Sequence, residues 1–140
     1  MKYTLTYSNF DEETKVSTTT ISTVLGHFTA TAKFNPEDKY ISSYLGCWVA
    51  EVKAYKKALK MQRKNLILQQ KTLESFQKKL SQKEKDSYAV QLVEKEILNI
   101  FVDIINIEKD IKDLDEIVER RLTARENSLD MLEKKKQGHK

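Results

Sequence analysis

Between Ile41 and Leu132 the chain carries two apolar series at heptad spacing, separated by a stretch from Ser81 to Ser87 that has no apolar residue. The first series occupies positions 41, 45, 48, 52, 55, 59, 62, 66, 69, 73, 76 and 80 and reads Ile, Leu, Trp, Val, Tyr, Leu, Gln, Leu, Gln, Leu, Phe, Leu. The second runs through 90, 93, 97, 100, 104, 107, 111, 114, 118, 121, 125, 128 and 132, and it is Val, Ile or Leu until Arg121, Arg125 and Ser128 interrupt it. Steps of alternately four and three residues keep each series on one helix face. No proline comes after Pro36, and Gly46 is the one glycine between Gly26 and Gly138. The pattern predicts two long antiparallel helices, 36–82 and 86–134, each on the order of 60 Å long, with 135–140 as a frayed tail.

The first 35 residues have a different period. Tyr3, Leu5 and Tyr7 alternate with Lys2, Thr4, Thr6 and Ser8, which gives a strand one apolar and one polar face. Lys15 to Val24 is rich in Thr and other β-branched residues, as strands prefer. Phe28, Ala30, Ala32 and Phe34 again recur at every second position. Three antiparallel strands over 1–35 are the simplest reading. Alanines leave their inner face thin, so a helix or another subunit must cover it. Asn35-Pro36-Glu37-Asp38 suits a helix entry, with a capping amide, a first-turn proline and acids at the positive end of the dipole. The expected fold is a single α+β domain: a small N-terminal antiparallel sheet and then a coiled-coil hairpin.

Folding the hairpin back near residue 84 pairs positions whose numbers sum to about 168. Gln62 then meets Asn106 and Gln69 meets Asn99, as buried amides that need partners would; half-exposed, indifferent amides are the other reading. Arg121 and Arg125 take seam positions and face Cys47 and Ser43, beside Gly46. Small residues opposite long cations leave a space, and an unpaired buried charge calls for an anion, a carboxylate or water there. The planar guanidinium fork fits phosphate bidentately. Tyr40, Tyr44 and Trp48 lie at the same end and offer flat faces for a purine. Competing readings are that Trp48 and Tyr55 pack under the sheet, and that the arginines snorkel to water or pair with Glu119 and Glu126. Arg120, four residues after Glu116, suits a surface ion pair.

Hydrophobic residues make up 39% of the chain and charged residues 33%, for a net charge of +4, so charge is too balanced to signal a polyanion partner by itself. The basic excess falls after residue 40, at 21 basic against 16 acidic residues, compared with four against five before it. Lys56, Lys57, Lys60, Arg63 and Lys64 form a basic cluster, readable as a solvated helix face or as a nucleic-acid stripe. Acids interspersed along the second helix dilute such a stripe, so nucleic acid is not the expected partner. Cys47 is the only cysteine, which excludes an intrachain disulfide. No apolar run approaches the roughly 20 residues of a membrane span and no apolar signal core comes after Met1, so a soluble cytoplasmic protein is expected. His27 and His139 are too few for a histidine-rich metal site, and no Gly-rich phosphate loop or Cys-x-x-Cys pair occurs. Nothing beyond their presence supports His27 and Cys47 as base and nucleophile. The expectation is a protein without catalytic residues, metal or cofactor.

The sheet running into Asn35-Pro36-Glu37-Asp38-Lys39-Tyr40, the helix entry with Gly46 and Ala50, and two long helices ending in Arg121-x-x-x-Arg125 resemble the phage anti-defence proteins that antagonise the Thoeris system. The resemblance spans nearly the whole chain in architecture; its specific part is the two arginines and the 36–46 segment. It implies a nucleotide sponge in the host cytoplasm during infection, which captures a cyclic ADP-ribose isomer, such as glyco-cyclic ADP-ribose, and holds it uncleaved so that the Thoeris effector stays inactive. It also implies a nucleotide pocket at a dimer interface, dimers that assemble into hexamers as trimers of dimers, and separate sites for cyclic oligonucleotides. Arg121 and Arg125 would hold phosphates; Tyr40, Tyr44 and Trp48 compete to stack on the base, with Ser43 and Gly46 beside them. A sponge needs cations and flat surfaces but no nucleophile, general base or metal. The alternative is an oligomeric coiled-coil protein that binds a host protein directly.

Overall fold

The computed structural model describes residues 1–34, 42–83 and 88–138, with the backbone alone for 81–83 and 136–138. Strands β1 (Tyr3–Asp11), β2 (Val16–Thr23) and β3 (Gly26–Lys33) form an antiparallel sheet in the order β1-β2-β3, and helices α1 (Ser43–Lys83) and α2 (Tyr88–Gly138) come after it. The Asp11 carboxylate closes the first turn by accepting the Glu13 and Thr14 backbone N–H groups at 2.9 and 3.4 Å. Gly26 stands at φ 120° after the second turn, a conformation that glycine alone adopts without strain.

Ser17, Thr19 and Ile21 of β2 and Ala30 and Ala32 of β3 are buried on one face of the sheet. Against them lies a stripe of α1 made of Gly46, Ala50, Ala54 and Ala58, all buried and spaced four apart. Helix periodicity puts these four in line. With small side chains on both sides the helix backbone comes close enough for the Thr19 hydroxyl to donate to the Cys47 carbonyl at 3.2 Å. At Gly46 the approach is closest: a Cβ there would collide with Ser17 Oγ and press on the Phe34 ring. The thin alanine face is thus covered by the chain's own first helix.

β1 departs from strict alternation. A bulge between Leu5 and Tyr7 pairs Leu5 with Ile21 but Tyr7 with Thr20. One extra residue reverses the facing of every later position in the strand, so Tyr7 shares the outer face with Thr20 instead of lying beside Tyr3 and Leu5. Tyr3 packs on Tyr55 of α1 with ring centroids 5.0 Å apart. Burial pushes both phenols above their ordinary pKa, helped by Glu51 at Tyr3 and by Asp110 at Tyr55.

α1 and α2 pack against one another within one chain, with Leu59, Ile100, Ile104 and Ile107 buried among their seam residues. Lys56 pairs with Asp115 and Arg63 with Glu108, each at 2.7 Å, and the residue numbers of both pairs sum to 171. The register is therefore three residues off the expected 168. Gln69, Asn99 and Asn106 are exposed, so the amides do not meet inside the seam. Past Val118 the half-buried positions are Leu122, Arg125 and Leu129, while Arg121 and Ser128 are exposed. The seam thus slips by one residue at Arg121, because Leu122 joins the apolar cluster of Ala32, Val49 and Ala50.

The described part of α1 begins at Ser43, not at residue 36. Ser42 caps it: its Oγ accepts the Leu45 N–H at 3.2 Å and its carbonyl accepts the Gly46 N–H at 3.0 Å. The entry read at Asn35-Pro36-Glu37-Asp38 lies outside the described residues, as does the reversal at 84–87. Residues 81–83 belong to α1 and 135–138 to α2, where the sequence suggested a turn and a frayed tail.

Gly46→Ala should lower stability by about 1 to 3 kcal/mol despite the higher helix propensity of alanine, because the added methyl overpacks the sheet contact. Adding Ser17→Ala should recover part of that loss, read by urea denaturation of the single and double variants.

Candidate functional site

At the end of the molecule where α1 starts, α2 passes over Phe34, the residue that comes directly after β3. The slip of the seam separates the roles of the two arginines. Arg125 stays half-buried with its guanidinium 5.8 Å from the centre of the Phe34 ring, while exposed Arg121 lies 5.3 Å from the centre of the Trp48 ring. Both distances suit cation–π contact. The Trp48 indole packs on the Ala32, Val49 and Ala50 cluster, so it is core on one side and a platform for Arg121 on the other.

Between these elements opens a cleft of about 320 Å³ lined by Ser42, Tyr44, Leu45, Arg121, Ala124, Arg125 and Ser128. Among the described residues, two guanidiniums and no carboxylate contribute to its wall. Nη2 of Arg125 is buried and makes no hydrogen bond among the described residues. Such a donor costs about 1 to 3 kcal/mol unless something accepts from it. Glu119 and Glu126 do not serve: they line a different cleft, on the flank of α2 beside Val52, Lys53 and Lys56. Among the described residues neither arginine forms an ion pair. The first described turn of α1 contains no acid, so among the described residues no side-chain counter-charge meets the positive end of its dipole beside the cleft. Cations, an unsatisfied donor and a helix start therefore converge on one open space suited to an anion.

The residues singled out from sequence fall into place unevenly. Arg121, Arg125 and Tyr44 share the cleft, and Trp48 supports it from beneath Arg121. Ser43 is exposed and is not part of the lining; its neighbour Ser42 is. Gly46 does not face the cleft, being tucked under the sheet against Ser17 and Phe34. Tyr40 lies outside the described residues. Sequence reasoning missed Phe34, whose alternation marked it only as a sheet residue, and Ser42 and Ala124, which the heptad series leave out; Ser128 stood only as a break in its series.

Within the basic cluster most charges have local uses. Lys56 and Arg63 bind acids of α2. Lys57 donates to the Thr29 carbonyl at 2.6 Å and Lys53 to the Thr31 carbonyl at 3.5 Å, so α1 covers the open edge of β3 with lysines. That leaves Lys60 and Lys64 of the proposed stripe outside these contacts. Arg120 and Glu116 approach to 4.0 Å, as their spacing implied. Among the described residues no group of His, Cys, Asp or Glu could hold a metal ion, and no helix is long and apolar enough to cross a membrane. Comparison with protein-family models, with curated proteins and with solved structures gave no significant match.

Replacing Arg125 by Met keeps most of its volume and removes the unsatisfied donor. The variant should be as stable as the parent or up to about 1 kcal/mol more stable in phosphate-free buffer, as measured by thermal denaturation.

Proposed function

We propose that the protein captures a cyclic nucleotide signal, a cyclic ADP-ribose isomer such as glyco-cyclic ADP-ribose, and withholds it intact from the receptor that would respond to it. The observation that carries this reading is the pair Arg121 and Arg125 in a cleft to which no described carboxylate contributes, one of them with a buried N–H that no described residue accepts. A pyrophosphate offers acceptors to both guanidiniums at once, and charge-assisted contacts of this kind are the strong ones. Tyr44, 71% exposed at the cleft wall, is free to stack on a base, whereas the Trp48 ring is already covered by Arg121. Both cations and the aromatic ring come from one chain, so in this reading each subunit carries its own site instead of sharing one across a dimer interface.

Capture without turnover is the outcome this chemistry favours. The residues lining the cleft are two cations, two serines, a tyrosine and two apolar residues, with no general base placed beside a nucleophile. Binding would suppress signalling by mass action, in proportion to the amount of protein and its affinity. Blocking a Thoeris effector during phage infection is the biological setting that the sequence resemblance suggests for it.

A second reading, an oligomeric coiled-coil protein that binds a host protein directly, draws on the exposed apolar residues along α2. The arginines separate the two. Arg121→Ala and Arg125→Ala should each weaken capture of a cyclic ADP-ribose isomer by about 30-fold or more in calorimetric titration, with the fold retained. Ligand released by denaturing the wild-type complex should be chemically unchanged. A converted product would mean an enzyme, and binding as tight as wild type in both variants would hand the lead to the interaction reading.

A further inference from the structure

The middle of α2 exposes a compact apolar patch on the side turned away from α1. Leu98, Phe101, Val102 and Ile105 are 58%, 51%, 53% and 47% exposed, in a helix whose opposite face buries Ile100, Ile104 and Ile107. The i, i+3, i+4, i+7 spacing of the four residues gathers them on one face. A single exposed leucine needs no explanation; four contiguous large apolar side chains on a helix do.

The patch is its own complement. Reversing the helix about the point midway between Phe101 and Val102 places Phe101 against Val102, Leu98 against Ile105 and Glu94 against Lys109, and each pair is equidistant from that point. Lys95 and Glu108, placed against each other by the same reversal, are opposite in sign as well, with Glu108 also paired to Arg63 within the chain. All of these residues are exposed. Among the described residues no ion pair within the chain engages Glu94, Lys95 or Lys109. A stripe that is palindromic in apolar character and antisymmetric in charge is what an isologous two-fold contact requires, since each residue must suit its own mate on the second copy. The alternating signs that flank it do not suit an anionic lipid surface, for which a basic polar face would be expected.

We propose that two copies of this chain dimerise through α2, packed antiparallel about a two-fold axis at Phe101 and Val102, with Glu94 of each copy paired to Lys109 of the other. The contact from 94 to 109 runs for about 24 Å along each helix. Arg121 lies about 20 residues from the axis, roughly 30 Å away along the helix. The two clefts therefore sit at opposite ends of the dimer, and neither takes part in the contact. This inference stands apart from the nucleotide reading: either can fail without the other.

Charge exchange tests the register, and it uses exposed positions that leave the seam and the cleft untouched. Sedimentation velocity should show wild-type protein as a dimer in the micromolar range. Glu94→Lys and Lys109→Glu should each shift the equilibrium toward monomer by roughly tenfold or more in dissociation constant, since each puts two like-charge pairs into the contact. Circular dichroism should show both variants folded. An equimolar mixture of the two variants should regain the dimer, because in the mixed dimer the two altered side chains pair with each other and the two native ones pair at the other end, both with opposite charge. A monomeric wild-type protein would overturn the proposal and leave the patch to a different partner. Single variants as dimeric as wild type, or a mixture no more dimeric than its components, would equally overturn it.

Discussion

Everything at the working end of this molecule depends on how closely α1 lies on the sheet. Gly46, Ala50, Ala54 and Ala58 present almost no side chain to Ser17, Thr19, Ile21, Ala30 and Ala32. Dispersion contacts fall away within a fraction of an ångström, so this kind of packing is either close or absent. Because it is close, Phe34 at the end of β3 sits beside the first turn of α1. α2, held on α1 by its own seam and by two cross-helix ion pairs, then passes directly above both. The cleft is the gap left where three elements meet at this fixed spacing.

Within that gap the energetics run against apo stability. Among the described residues nothing accepts from one N–H of the half-buried Arg125, and Arg121 gains only a ring face and solvent. Cation–π contact returns on the order of 1 kcal/mol, less than a satisfied ionic hydrogen bond would contribute. Leucine at 125 would suit the seam better. On the proposed reading, an arginine where the periodicity calls for an apolar residue is explained by a bound state, in which an anion would supply the missing acceptors. The close packing beneath holds the guanidiniums near their places, which on that reading would lower the ordering cost of binding.

The sequence made much of this legible, and the limits are instructive. Period-two and heptad patterns revealed the strands and both helices because each reports a single element's own faces. The Tyr3, Leu5, Tyr7 alternation misled because a bulge is invisible to a pattern count: the extra residue changes facing without changing composition. The hairpin register was off by three because it was inferred from the centre of an apolar-free stretch, whereas the ion pairs at Lys56 and Arg63 fix it. With that shift Gln62 no longer meets Asn106 and Gln69 no longer meets Asn99, and Ser42, not the exposed Ser43, lines the cleft. Arg121 and Arg125 stood out as breaks in a long series. Phe34 did not, since its part arises only when β3 and α2 are brought together in space.

Hydrogen exchange read by mass spectrometry, with and without a cyclic ADP-ribose isomer, addresses the site most directly, because it reports location as well as occupancy. The account expects slowed exchange in the first turns of α1, over residues 42–48, and in α2 around 118–128, with the hairpin between 60 and 110 unchanged. No protection anywhere, or protection confined to the middle of the hairpin, would contradict the assignment of the cleft as the place where the nucleotide is held.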